Sequence, residues 1–168
     1  MKQITTYKYC YGVSSRAIEN KHVFMIDFDN VSFKTVTEYL IHVQNKMDFS
    51  DIYIIETKNG YNAICLDKIP FLYIPYLGNS VFSPADRSFL RFGFKRGYYV
   101  LRFGSDKKLV AVLKNKSTRY EKSLAHKKFL EWFFDISIEC YPVDGNTMLD
   151  IVRYHSDKHG FHVVGVDK

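Results

Sequence analysis

Cysteine is scarce in this 168-residue chain, and the three present, Cys10, Cys65 and Cys140, lie far apart. The absence of any Cys-x-x-Cys pair argues against a zinc site, and an odd, scattered set argues against a disulfide framework. Both point to a reducing setting, with an intracellular, cytoplasmic location expected. The N-terminus has no apolar signal core. The most apolar long segment, residues 64–82, is interrupted by Asp67, Lys68, Pro70, Pro75 and Gly78, so neither a membrane span nor a membrane partner is expected. Low-complexity tracts and internal repeats are missing. So are a Walker loop, a Gly-x-Ser-x-Gly elbow and a Rossmann glycine fingerprint, which leaves ATPases, esterases and dinucleotide enzymes without support. Acidic residues are the minority charge, 18 against 24 Lys and Arg, and the net charge of +6 favours an anionic partner.

What is present is apolar and aromatic. The hydrophobic fraction of 46% is ample for one folded core, so residues 1–168 read as a single domain. Aromatics reach 17%, mostly Tyr and Phe, and favour sheets. The organising stretch is His22-Val-Phe-Met-Ile-Asp-Phe-Asp-Asn30. Val23 to Ile26 is a continuous apolar run, as in a buried central strand. Asp27 and Asp29 stand two positions apart, which on a strand turns both carboxylates to one face, roughly 6–7 Å apart. Asn30 and Ser32 offer oxygens to cap a following helix. Carboxylates so placed can hold a divalent cation for phosphoryl chemistry, and the same residues also suit a plain strand end and helix start.

In chain order, residues 1–21 carry alternating Tyr7, Tyr9 and Tyr11 and suit an edge strand or a docked arm. A strand over 22–28 follows. Phe33, Val36, Leu40, Val43 and Met47 recur at three- and four-residue steps and predict a helix over 32–47. Two β-rich runs, 52–56 and 61–66, flank Lys58-Asn-Gly60 as a hairpin. Pro70 and Pro75 predict an irregular segment. Ser83-Pro84 reads as a helix start, with an end near Gly93 or Gly97. Strands over 98–103 and 109–113, joined at Gly104-Ser-Asp-Lys107, read as a second hairpin. A helix over 120–134, a strand over 136–141, a short helix around 148–154 and a strand over 161–166 complete a mixed α+β pattern.

Two further stretches bear on chemistry. Glu56-Thr-Lys-Asn-Gly-Tyr-Asn62 is a polar turn, where Gly60 would let backbone approach a ligand and Thr57, Lys58 and Asn62 could donate to phosphate. An ordinary hairpin turn also accounts for it. Residues 91–128 hold twelve basic residues against Asp106 and Glu121. Arg91, Lys95, Arg96, Lys108 and Lys114 are among them, interleaved with Phe92, Phe94, Tyr98, Tyr99, Phe103 and Tyr120. Such a segment suits a nucleic-acid backbone with base stacking, although alternation on a strand must bury about half of the aromatics.

Three of these segments, in order, resemble the archaeo-eukaryotic primase (prim-pol) superfamily. Phe24-Met-Ile-Asp-Phe-Asp29 is similar to its strand ending in Asp-x-Asp, and Ile54-Ile-Glu-Thr-Lys-Asn-Gly-Tyr-Asn62 to its Ser-x-x-Gly-x-His hairpin. Val100-Leu-Arg-Phe-Gly-Ser-Asp-Lys107 is similar to its Arg-x-x-Gly-Ser-x-Lys stretch. The resemblance spans residues 22–114. It implies an RRM-like, mostly antiparallel sheet with flanking helices, to which 1–21 would add an arm or edge strand and 115–168 the helices and strands that complete the sheet. It also implies a metal-dependent nucleotidyltransferase that makes primers from nucleotide triphosphates. Asp27 and Asp29 would be catalytic ligands for Mg²⁺ or Mn²⁺, and Lys58, Asn62, Arg102, Ser105 and Lys107 would hold phosphate. Two departures stand out. Asn62 occupies the place of the family's histidine and cannot carry positive charge. The family's third acid has no counterpart between Arg87 and Ser105, with Asp86 the nearest candidate upstream.

Arg96-Gly-Tyr-Tyr-Val-Leu-Arg-Phe103 also partly resembles the RNP1 pattern of RRM domains, in which Tyr98 would stack a base. His155, His159 and His162 invite comparison with rolling-circle endonucleases, but His159 and His162 are three apart rather than two and no tyrosine follows. The expected protein is a small primase-polymerase-like replication factor of a virus or mobile element. It would bind nucleotide triphosphates and single-stranded DNA or RNA, with self-association or a replication partner protein expected. The alternative is a non-catalytic nucleic-acid-binding module of the same fold.

Overall fold

The run Val23–Ile26 is apolar at every position because its strand is covered on both faces. In the computed structural model, which describes residues 8–139, 143, 151–157 and 160–167 (8–10, 151–157 and 160–167 by backbone alone), this strand is β2, Lys21–Asp29. It is preceded by β1 (Lys8–Ser14) and followed by α1 (Phe33–Met47), β3 (Ile52–Glu56) and β4 (Gly60–Pro70). Then come α2 (Tyr73–Gly78), α3 (Arg87–Arg96), β5 (Val100–Phe103), β6 (Lys108–Leu113) and α4 (Leu124–Phe134), and the strands β7 (Ile151–Asp157) and β8 (Gly160–Asp167). The fold is α+β, with two antiparallel four-stranded sheets ordered β2-β4-β3-β6 and β5-β1-β7-β8.

Side chains on β2 alternate between two apolar clusters. Phe24, Ile26 and Phe28 join Val36, Tyr39, Leu40 and Val43 of α1, together with Ile74 and Leu77 of α2 and Leu90 of α3. Val23 and Met25 point the other way, to Val13 of β1, Leu101 and Phe103 of β5, and Phe129 and Leu130 of α4. Each fully buried side chain of this size contributes about 1.5–3 kcal/mol of transfer free energy. The sheet is thus sandwiched between helices on one face and the second sheet with α4 on the other.

Several expectations hold. Ser32 caps α1, its hydroxyl accepting from the Thr35 N–H at 3.2 Å. The β3–β4 hairpin pairs as expected, from Ile52 opposite Cys65 to Glu56 opposite Tyr61. Others are corrected. β2 is buried but not central. It ends its sheet, and its outer edge is met by Val23 N–H donating to Ser15 O and by Asp86 N–H donating to Asp27 O, both at 2.8 Å. β1 is not an edge strand, because it lies between β5 and β7.

Residues 100–113 are not a hairpin. Lys107 N–H closes a turn onto Gly104 O at 3.1 Å, but β5 pairs with β1 while β6 pairs with β3, so the strands part into different sheets. The described residues therefore form two sheets, not the single one expected. The supposedly irregular stretch after Pro70 contains α2. The third helix starts at the Asp86 cap rather than at Ser83-Pro84, with Asp86 itself extended, its carboxylate capping Phe89 N–H and its own N–H bonded to Asp27 O. Residues 136–139 form no strand, and 140–142 lie outside the described residues. Residues 151–154 are strand rather than helix, paired to β1, while 148–150 lie outside the described residues.

Candidate active site

Asp27 and Asp29 follow Met25 on the odd-numbered face of β2, past the point where the apolar packing ends. Opposite them stands the start of β4, with Asp27 in register with Asn62 and Asp29 with Gly60. Gly60, read from the turn as a place of close backbone approach to a ligand, has a packing reason within the sheet. A Cβ there would lie 1.8 Å from Phe28 O, so the glycine lets β4 close tightly on the acid-bearing end of β2. Cross-strand partners face one another, and the Asn62 amide donates to Asp27 Oδ1 at 2.5 Å. The same amide accepts at Oδ1 from Lys107 Nζ at 2.8 Å. Asn62 is 3% exposed, with both polar ends engaged. It is thus placed to hold Asp27 and Lys107 in position, with its second amide hydrogen toward Tyr61 O at 3.3 Å.

A third carboxylate completes the group. The backbone bond from Asp86 N–H to Asp27 O brings the N-cap of α3 against β2, and the Asp86 carboxylate caps Phe89 N–H at 2.9 Å. Oxygens of Asp27, Asp29 and Asp86 all lie within 4.8 Å of one another. This third acid lies just upstream of the window between Arg87 and Ser105 and is delivered by a helix cap. These three line a cleft of about 410 Å³ with Ser88, Phe89, Phe92 and Arg96 of α3 and Val100 and Arg102 of β5. The acidic pair and Arg102 line the same cleft, although β2 and β5 belong to different sheets.

The electrostatics are unbalanced. Asp27 is pushed up to about 6, first by burial, then by the charges of Asp29 and Asp86, against the opposing pull of Lys107 and the Phe28 N–H. The Lys107 ammonium is shifted downward by its own burial and by Arg102, although Asp106, Asp27 and Asp29 oppose this. Three carboxylate oxygens at this spacing are a hard-oxygen donor set, which suits Mg²⁺ or Mn²⁺. The raised Asp27 marks a place where added positive charge is favourable.

The other expected residues are distributed as follows. Arg96 lines the cleft, at 5.5 Å over the Tyr98 ring, which Arg16 also covers at 4.2 Å. Tyr98 thus carries guanidinium groups where a base was expected. Arg91 and Lys95 are exposed on α3, Arg91 lying 5.3 Å over Phe92. Lys58 is exposed on the β3–β4 turn and Ser105 on the turn after β5, and neither lines the cleft. Lys108 is opposite Glu56 on β6, and Lys114 pairs with Asp51 at 3.0 Å, outside the cleft. His155 and His162 are register partners on β7 and β8, where the backbone alone is described, and His159 lies outside the described residues.

From the sequence Asp86 is only the nearest upstream candidate for a third acid, and Phe92 one of several interleaved aromatics. The signal for Asp86 was its cap position, Asp86-Arg-Ser-Phe89 opening an amphipathic helix. No helix among the described residues is long and apolar enough to cross a membrane. Comparison with protein-family models, curated proteins and solved structures gives no match to this chain.

Proposed function

We propose that the protein is a metal-dependent nucleotidyltransferase of the primase-polymerase kind, acting on nucleoside triphosphates and a nucleic-acid strand. The observation that carries this reading is the meeting of Asp27, Asp29 and Asp86 with Arg96 and Arg102 in one cleft. Carboxylates on one side and guanidinium groups on another suit a substrate that bears both a metal-bound phosphate and further negative charge. Asp27, Asp29 and Asp86 would hold Mg²⁺ or Mn²⁺, which when bound neutralises charge developing on a transferred phosphoryl group. Arg102 and Arg96 would orient the phosphates, and Lys107 would add positive charge beside Asp27 while Asn62 fixes both. In this reaction a strand hydroxyl attacks the α-phosphorus of a nucleoside triphosphate, the new phosphodiester forms and pyrophosphate leaves.

The residues that resemble the prim-pol motifs supply the same set, Asp27, Asp29, Asn62, Arg102 and Lys107, and Asp86 supplies the missing acid. Incorporation of labelled nucleotides on primed and unprimed templates, with Mn²⁺, Mg²⁺ or EDTA, tests the reading. Extension that requires the metal and is lost on Asp27→Ala with Asp29→Ala is the expected result. Strand binding indifferent to EDTA and to both substitutions, with no extension, would replace it by the non-catalytic binding module.

A further inference from the structure

The cleft has one wall that the carboxylates do not explain. Ser88, Phe92 and Arg96 stand four residues apart on α3, so they form one ridge along the helix, and all three line the cleft. Phe92 is 53% exposed, with the Arg91 guanidinium 5.3 Å over its ring. A single exposed aromatic is ordinary on a protein surface. This one sits midway along a ridge that begins beside the Asp86 cap and ends at a cation, Arg96.

From Asp86 to Arg96 the helix rises about 15 Å, the run of about four stacked nucleotides at about 3.4 Å each. The positive track continues past the helix, because the Tyr98 ring lies under both Arg96 and Arg16. Arg102 faces the cleft from β5. An aromatic face flanked by guanidinium groups along such a length suits a polynucleotide, whose bases stack while its phosphates pair with cations. One nucleotide would leave most of the track unused.

We infer that the Ser88–Phe92–Arg96 ridge is a track for a single nucleic-acid strand, with Phe92 as the platform for the base next to the carboxylates. The inference rests on the reading above in that the ligand is a polynucleotide. It adds where the strand lies and which side chain grips a base.

Fluorescence anisotropy with labelled oligo-dT and oligo-U tests it on the full chain. Phe92→Ala is expected to weaken strand binding about 5- to 100-fold, with Phe92→Trp restoring most of it. Arg96→Ala is expected to reduce the salt dependence by about one counterion. Since Phe92 is largely exposed, the urea midpoint of Phe92→Ala should match the wild type, which separates lost stacking from lost folding. Unchanged strand affinity in Phe92→Ala, beside a wild type that binds, overturns the track and leaves the proposed enzyme standing. Loss of nucleoside triphosphate affinity with strand affinity intact assigns Phe92 to the free nucleotide and also overturns it. A wild type that binds neither strand nor triphosphate overturns both proposals together.

Discussion

Two carboxylate sites in this molecule sit close to the same sheet and are built on opposite principles. Asp67, on β4, is fully buried, and its oxygens accept from Ser50 N–H at 2.9 Å and Ser50 Oγ at 2.6 Å. Lys122 Nζ lies 3.3 Å from it and donates to Ser117 O and Tyr120 O, both at 2.9 Å. One negative charge meets one positive charge, and the ammonium's remaining hydrogens go to carbonyls. At the cleft, three carboxylates crowd within 4.8 Å, and the nearest ammonium reaches Asp27 through the amide of Asn62. The first site is complete without a ligand and ties β4 to the segment before α4. The second gathers three like charges, which under the proposed function a bound cation would offset, whereas the first is a matched pair that holds the fold.

The sharpest way to break this comparison is to unbalance the balanced site. Lys122→Met leaves Asp67 buried without its counter-charge and should lower stability by about 3–5 kcal/mol. Urea unfolding would read this, and the double variant Asp67→Asn with Lys122→Met should recover a good part of it. If Lys122→Met costs less than about 1 kcal/mol, the pair does not anchor the fold.

The converse holds at the cleft. A carboxyl raised from 3.8 to about 6 binds its proton more tightly folded than unfolded. The stability this gives is fully present below about pH 3.8 and is lost as pH rises through about 6, so at neutral pH the ionised group weighs against the metal-free fold. Asp27→Asn should therefore raise stability at pH 7.5 in EDTA by about 1–3 kcal/mol, a range reduced for partial solvation. It should also flatten the pH dependence between 4 and 6 and diminish the gain in stability that Mn²⁺ gives the wild type. A variant less stable than wild type at pH 7.5 would mean that Asp27, like Asp67, is a structural anchor.

How much of this was legible depended on sequence distance. The Asp27–Asp29 face followed from strand alternation, but the Asn62 contact did not, because the hairpin turn sets Asn62 against Ile55 of β3 and only the long-range pairing of β4 with β2 sets it against Asp27. Arg102 and Lys107 were found by type and spacing, but not their strands' destinations. Residues 100–113 have the turn chemistry of a hairpin, and only the pairing of β5 with β1, some ninety residues away in sequence, pulls them apart. Asp86 stood in the sequence only as the nearest acid upstream, since its helix-cap preference is local but the backbone bond that sets it against Asp27 is long-range. Around 151, the apolar spacing of Met148, Leu149 and Val152 suggested a helix, while β-branched Ile151 and Val152 pair with β1 instead.

The mildest test sharpens the contrast from outside both sites. Lys114 pairs with Asp51 at 3.0 Å, but its side chain is 77% exposed and Asp51 also accepts from Asn115 N–H at 2.8 Å. A solvated ammonium gains little from such a partner, so Lys114→Ala should change stability by less than about 1 kcal/mol. Lys114 belongs to the same basic segment as Arg102, so composition alone assigns both to nucleic acid. Geometry separates them, because Arg102 lines the cleft and Lys114 does not. If affinity comes from the cleft, Arg102→Ala should weaken oligonucleotide binding well beyond Lys114→Ala, which should stay within about twofold of wild type at 0.15 M salt, where charges beyond about 8 Å are screened. Equal losses in the two variants would mean that the basic segment attracts nucleic acid as a diffuse field, and that the cleft's cations have no special claim on the strand.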